Sequence, residues 1–171
     1  MNPDTARQIK LLALDVDGVL TDGRITYGND GEELKSFNIK DGLGIKLLQR
    51  AGVEVTIITG RQSNIVERRA RELGIETIIQ GREDKLSALQ ELCDVRQLQL
   101  SQCAYMGDDL PDLAAVSAAG IGMSVADASS VLLATADWRS SQRGGDGAVR
   151  EACETLLHVR GELEALEADY K

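Results

Sequence analysis

The chain has 171 residues, 43% of them apolar, enough for one hydrophobic core and too few for two large ones. Its 28 acidic and 19 basic residues leave a net charge of -9, so nucleic acid and anionic membranes are poor partners. Three widely spaced cysteines, Cys93, Cys103 and Cys153, form no CxxC pair, which argues against a disulfide framework or zinc site and for a reducing compartment.

Met1 to Lys10 carries no apolar signal core, and no stretch reaches membrane-spanning length, so a cytoplasmic protein is expected. Ile9 to Leu14 is an apolar run of strand length broken only by Lys10, and it ends in Asp15-Val16-Asp17-Gly18. Such runs suit strands buried in a parallel sheet, whose ligands bind beyond the carboxyl ends of the strands. Two carboxylates this close repel one another unless a cation or a shared proton relieves them, and Mg²⁺ is the natural hard partner. Taken alone, the DxDG pattern favours the plainer reading of a strand ending in an Asp-rich turn.

Arg24 to Phe37 holds two alternating runs around Gly28-Asn29-Asp30-Gly31, the pattern of a β-hairpin. Asp41-Gly42 opens a helix closed by Gly52, and Val53 to Ile58 is a second buried strand ending in Thr59-Gly60-Arg61. A helix from Gln62 to Leu73, a short strand from Ile75 to Ile79, and a helix from Arg82 to Leu92 with Lys85 near its start follow. Cys103 to Met106 is a strand ending in Gly107-Asp108-Asp109. Leu110 to Ala118 is a helix and Gly120 to Val125 a further strand. After Arg143-Gly144-Gly145-Asp146-Gly147, a final helix runs from near Ala148 towards Ala168. Strands alternating with helices predict an α/β fold, a Rossmann-like parallel sheet with helices on both faces, as a single domain over 1–171.

In a parallel sheet Asp15, Asp17, Thr59, Lys85, Asp108 and Asp109 all reach one edge. Carboxylates, a hydroxyl and a lysine gathered there form a phosphoryl-transfer set: a nucleophile, an acid/base, phosphate-binding groups and ligands for Mg²⁺. The ordered set of DxDG, strand-Thr-Gly, Lys and strand-GDD is far more specific than any one part.

This set resembles the haloacid dehalogenase superfamily of phosphohydrolases. Within it, LDVDGVLTDG, GEELKSFNIKDGLGIK, IITGR, the lysine of EDKL, YMGDDLPDL and RGGDGAVREAC resemble the 3-deoxy-D-manno-octulosonate 8-phosphate phosphatases, from about Leu11 to about Leu157. The resemblance implies that Asp15 is the nucleophile and a Mg²⁺ ligand. It implies that Asp17 is the acid/base and a ligand through its carbonyl, and that Asp108 is the third protein ligand. Thr59, Gly60 and Lys85 would hold phosphate. Contacts to a sugar acid phosphate would fall on Asp17, Asn38, Ile39, Lys40, Asp41, Gly42, Lys46, Arg61, Arg69 and Lys85. Where some relatives have arginine, Lys40 and Lys46 keep the charge and lose the bidentate fork. Arg69 also fits a solvated charged helix face, Asp112 fits either a helix cap or a residue supporting the metal, and Lys85 fits a salt bridge with Glu83 or nearby acids.

The spacing between motifs admits no cap domain, only the hairpin flap at about 24–37. A two-stranded flap is marginal alone and leaves open edges, which pairing of flaps between subunits would relieve. The resembling family is a homotetramer of this kind. Three glycines in the Arg143 to Gly147 stretch exclude a helix interior and suit either a linker or a gate at about 143–168 that closes over substrate. Two other readings compete: a phosphatase of another sugar acid phosphate such as a nonulosonate 9-phosphate, and a phospho-acceptor domain. The second suffers because the third strand ends in Gln80-Gly81 without an aspartate.

Overall fold

The computed structural model describes residues 1–170. In chain order the strands are β1 (Leu11–Leu14), β2 (Thr26–Tyr27), β3 (Glu33–Leu34), β4 (Glu54–Thr59), β5 (Thr77–Gln80), β6 (Cys103–Gly107), β7 (Ile121–Ser124) and β8 (Trp138–Arg139). Six of them form one sheet in the order β5-β4-β1-β6-β7-β8, parallel at every pairing, while β2 and β3 form a separate antiparallel hairpin. Every residue of β1 is buried, because the strand has neighbours on both sides; this is why its sequence reads as a continuous apolar run.

Register then places the site. Leu14 pairs with Ile57 of β4 and Met106 of β6, and one residue on, the Asp15 N–H donates to the Met106 carbonyl at 3.1 Å. Asp15, Thr59 and Asp108 therefore leave the sheet at the same edge. The chain moves outward from β1 to β4 and β5, then returns to β6 on the other side, so the strand order reverses between β1 and β6. Ligands of open α/β sheets bind at such a switch point.

The helices are α1 (Pro3–Gln8), α2 (Ile39–Arg50), α3 (Asn64–Leu73), α4 (Lys85–Arg96), α5 (Leu113–Ala118), α6 (Ser130–Thr135), α7 (Ala148–Arg160) and α8 (Leu163–Ala168). α1 and α2 pack on α7, while α4 and α6 pack on α5, giving a helical layer on each face. The core unites these helices with the sheet, from Leu11 and Leu12 through Leu89 to Leu156. No described helix is long and apolar enough to cross a membrane.

Several boundaries differ from those read off the sequence. The hairpin pairs only two residues per arm, closed by the Gly28 N–H on the Glu32 carbonyl at 2.7 Å. It has no sheet beneath it to extend the ladder. α4 starts at Lys85 rather than Arg82; the chain before it is tied to the end of β4, the Arg82 N–H donating to the Thr59 carbonyl at 3.2 Å. The helix after β6 opens as a 3₁₀ turn over Leu110–Asp112, with Pro111 inside it. The final helix is two helices, α7 and α8, parted at Gly161, whose φ of 79° lets it close the first in the left-handed conformation. α1, α6 and β8 have no periodic signature of their own at six, six and two residues.

Candidate active site

Asp15 is buried at the end of β1 and faces the ammonium of Lys85 at 2.9 Å. Lys85 opens α4, so its side chain reaches across the sheet edge, and it is only 4% exposed. The same ammonium donates to Asp112 Oδ1 at 2.6 Å. Lys85 is thus salt-bridged, as one reading of the sequence allowed, but to Asp15 and Asp112 rather than to Glu83. Asp108, at the end of β6, completes the cluster: one carboxylate oxygen from each of Asp15, Asp108 and Asp112 lies within 4.8 Å of the others.

Asp112 organises this cluster. Its Oδ1 also accepts from the buried Tyr105 hydroxyl at 2.9 Å, and its Oδ2 accepts the backbone N–H groups of Asp108 at 3.1 Å and Asp109 at 3.4 Å. Both oxygens are therefore engaged by the protein, which leaves Asp15 and Asp108 as the carboxylates open to a cation. Gly107 passes so close that a Cβ there would overlap the Asp112 side chain. Asp109 accepts its neighbour's N–H, from Leu110 at 2.8 Å, and so caps the start of the 3₁₀ turn.

The electrostatics follow from burial. Desolvation raises the Asp15 carboxyl to about 6, with the Asp112 charge adding to it and Lys85 opposing. Desolvation and the charges of Asp15 and Asp112 push Asp108 up to about 7. Burial works against the Lys85 charge, but the two carboxylates beside it prevail and hold the ammonium above its ordinary range. Three carboxylates face one ammonium, so the ionised cluster holds two negative charges in excess, the charge of one divalent cation. A hard cation with oxygen ligands fits this donor set.

Asp17 lies outside that cluster in a ring of ion pairs. Lys35, from just beyond β3, pairs with Asp17 Oδ1 and with Glu33 Oε1 at 3.2 Å. Arg61 stands 3.8 Å from Asp17 Oδ2 and donates to Glu33 Oε2 at 3.1 Å. Thr59 is buried at the end of β4, with Gly60 beside it.

A family profile described as haloacid dehalogenase-like hydrolase matches residues 77–151. The curated 3-deoxy-D-manno-octulosonate 8-phosphate phosphatase KdsC of Yersinia pestis is 47% identical over 159 residues, which is 93% of this chain and 85% of that protein. The chain belongs to the haloacid dehalogenase-like hydrolases, in the family of these phosphatases. Among solved structures, the phosphatase of Moraxella catarrhalis in complex with magnesium, phosphate and KDO matches with a TM-score of 0.97 and 48% identity, over 99% of this chain and 97% of that one. The cobalt-bound phosphatase of Haemophilus influenzae matches at 0.90 and 40% identity, over 94% of each chain.

Outside the hydrolase motifs, the expected substrate residues are scattered in role. Asn38 caps α2, accepting the Lys40 N–H at 2.9 Å, and reaches the Gly145 carbonyl at 3.4 Å. Ile39, Lys40 and Lys46 are exposed, and the two lysine side chains make no ion pair among the described residues. Arg69 lies over the Phe37 ring at 5.9 Å, donates to the Asn38 carbonyl at 3.5 Å and pairs with Glu72 at 3.4 Å, close against buried Gly42. Asp41, also expected among the substrate contacts, lies in the first turn of α2. It is buried and accepts the Arg150 N–H at 2.7 Å, capping α7 from α2.

The glycine-rich segment is docked on the loop after β1. Arg143 pairs with Asp127 at 3.1 Å, the Gly144 N–H donates to the same carboxylate at 3.0 Å, and the Gly145 N–H donates to the Val19 carbonyl at 2.9 Å. A Cβ on Gly144 would overlap the Gly18 carbonyl oxygen, so only glycine permits this approach. The residues that sequence reasoning missed are Tyr105, Glu33 and Lys35, together with the central place of Asp112. The spacing of Asp112 four residues after Asp108 was the only signal, and it fitted a helix cap equally well.

Proposed function

We propose that this phosphatase hydrolyses 3-deoxy-D-manno-octulosonate 8-phosphate to KDO and phosphate with Mg²⁺, in the cytoplasm, as a step of lipopolysaccharide biosynthesis. The observation that carries this reading is the buried Asp15–Lys85–Asp112–Asp108 cluster at the switch point of a chain 48% identical to a phosphatase solved with magnesium, phosphate and KDO. Asp15, Asp108 and the Asp17 carbonyl would hold Mg²⁺, which neutralises charge between carboxylate and phosphate when bound. In the first step an Asp15 oxygen attacks phosphorus and the bond to the sugar oxygen breaks. Asp17 gives its proton to that leaving oxygen. In the second step Asp17 takes a proton from water, which attacks the phosphorus of the aspartyl-phosphate and frees Asp15. Thr59, the Gly60 N–H and Lys85 hold the phosphate oxygens.

A sugar acid brings a carboxylate as well as a phosphate. Arg61, Lys40 and Lys46 are exposed cations on the segments that flank the site and suit it. The hairpin exposes Ile25, Tyr27 and Leu34 and has open edges, which supports pairing of flaps in a homotetramer that covers the site. The docked Arg143-Gly144-Gly145 segment is the element placed to gate it. The deciding experiment is a panel of phosphorylated sugar acids, including a nonulosonate 9-phosphate, assayed with Mg²⁺ on the wild type and on Asp15→Asn. The reading requires preference for the octulosonate ester and a loss of about 10³-fold or more in Asp15→Asn. Comparable turnover of the nonulosonate ester, or an active Asp15→Asn protein, would overturn it.

A further inference from the structure

The hairpin is an exposed element with one buried charge. Tyr27 and Leu34 on its strands are 65% and 50% exposed, yet the side chain of Lys35 beside them is 1% exposed. Fixing a lysine costs up to about 2 kcal/mol of rotamer entropy, and removing its ammonium from water costs more unless the charge is paired. A hairpin with two residues per arm offers little packing to offset either cost. The ion pairs with Asp17 and Glu33 are therefore what hold Lys35 down.

The two cations around Asp17 differ. Lys35 engages Oδ1 directly, while Arg61 stands off Oδ2 at 3.8 Å, is 41% exposed and is tied chiefly to Glu33 at 3.1 Å. Arg61 can turn to an anionic substrate at little cost; Lys35 cannot leave without unpairing an ammonium whose side chain is buried. With Oδ1 held, Oδ2 is the oxygen left for proton transfer. The carboxylate is then aimed only while the hairpin is seated.

We propose that Lys35 is a positioning residue for Asp17: the hairpin carries it onto the carboxylate and so orients the group that protonates the leaving sugar oxygen. This inference rests on the acid role of Asp17 proposed above. A group that must lie within hydrogen-bond reach of the departing oxygen is sensitive to aim, and a misplacement of about 1 Å can cost about 10²-fold in rate.

The test uses the choice of leaving group. A sugar alkoxide needs the proton as its bond breaks, whereas p-nitrophenolate leaves with little help. Lys35→Met keeps the aliphatic stem and removes the charge. Because Asp17 also serves as base in the second step, which both esters share, the reading is kcat/KM, which extends only to departure of the leaving group: it should fall about 10- to 10²-fold on 3-deoxy-D-manno-octulosonate 8-phosphate and less than about threefold on p-nitrophenyl phosphate. Lys35→Arg should restore part of the loss. The ratio of the two kcat/KM values is read within one preparation, so unfolded protein cancels, and Lys35→Gln supplies the same ratio from a polar replacement. Asp17→Asn is the control and should show the same bias more strongly. A biased loss in Asp17→Asn with a uniform or absent loss in the Lys35 variants overturns this inference alone. A uniform loss of kcat/KM in Asp17→Asn overturns the acid assignment, and the inference with it.

Discussion

Replacing Asp112 by asparagine tests the cluster at its least expected member, since the change keeps shape and removes one charge. The side chain is 1% exposed and receives four donors: the Lys85 ammonium, the Tyr105 hydroxyl and the N–H groups of Asp108 and Asp109. An amide offers one acceptor oxygen, so whichever way it turns, two donors meet N–H groups instead. A buried donor left unpaired costs about 1–3 kcal/mol, and breaking a buried ion pair about 3–5 kcal/mol. Lys85 keeps Asp15 at 2.9 Å, which places the total at the low end, about 3 kcal/mol. At about 2–4 °C per kcal/mol for a chain of this size, the melting temperature should fall by about 6–12 °C in a thermal denaturation scan. The substitution also removes a negative neighbour from Asp15 and Asp108, so both carboxyls should drop from about 6 and about 7 and the acid limb of activity should move to lower pH. A variant that melts within about 2 °C of the wild type with an unmoved acid limb would refute this view of Asp112.

The raised carboxyls of Asp15 and Asp108 also fix the sign of a linkage. Their folded values lie above the ordinary 3.8, so the stability they contribute without metal is fully present below about 4 and lost as pH rises through about 6 and about 7. Stabilisation by Mg²⁺ should accordingly be larger at about pH 8 than at about pH 5, and a shift in melting temperature that ignores pH contradicts the cluster as the ion's site. Gly144→Ala forces a Cβ onto the Gly18 carbonyl, with backbone on both sides; it should cost about 1–3 kcal/mol and lower kcat, because the Gly18 loop lies against the Asp108 carboxylate. Wild-type melting and turnover in that variant would mean that the segment does not dock there. Ile25→Asp combined with Leu34→Asp should convert the proposed tetramer to smaller species in light scattering with loss of activity, and a fully active monomer would rule out the flap interface.

What the sequence could disclose depended on the range of the contact behind each feature. β1, β4 and β6 were legible because a strand buried on both faces must be apolar throughout, and the acids and threonine at their ends break that run abruptly. Strand order then brought Asp15, Thr59 and Asp108 together without any side-chain information. Roles set by distant contacts left no local trace. Asp41 stands beside a glycine near a helix start, with nothing local to show that its carboxylate accepts the N–H of Arg150, 109 residues away. Asp112 fits a helix cap by spacing alone; only the fold shows that its carboxylate faces Tyr105 and Lys85. Lys35 is the one lysine of the hairpin, with nothing local to mark it, and 18 residues separate it from Asp17. Each of these three is a charge whose partner comes from another element, and pairing across elements is what allows a charge to be buried at all. A buried charge completed by a partner from a distant element is therefore where a single sequence says least, and here all three flank or underlie the loops that form the proposed site.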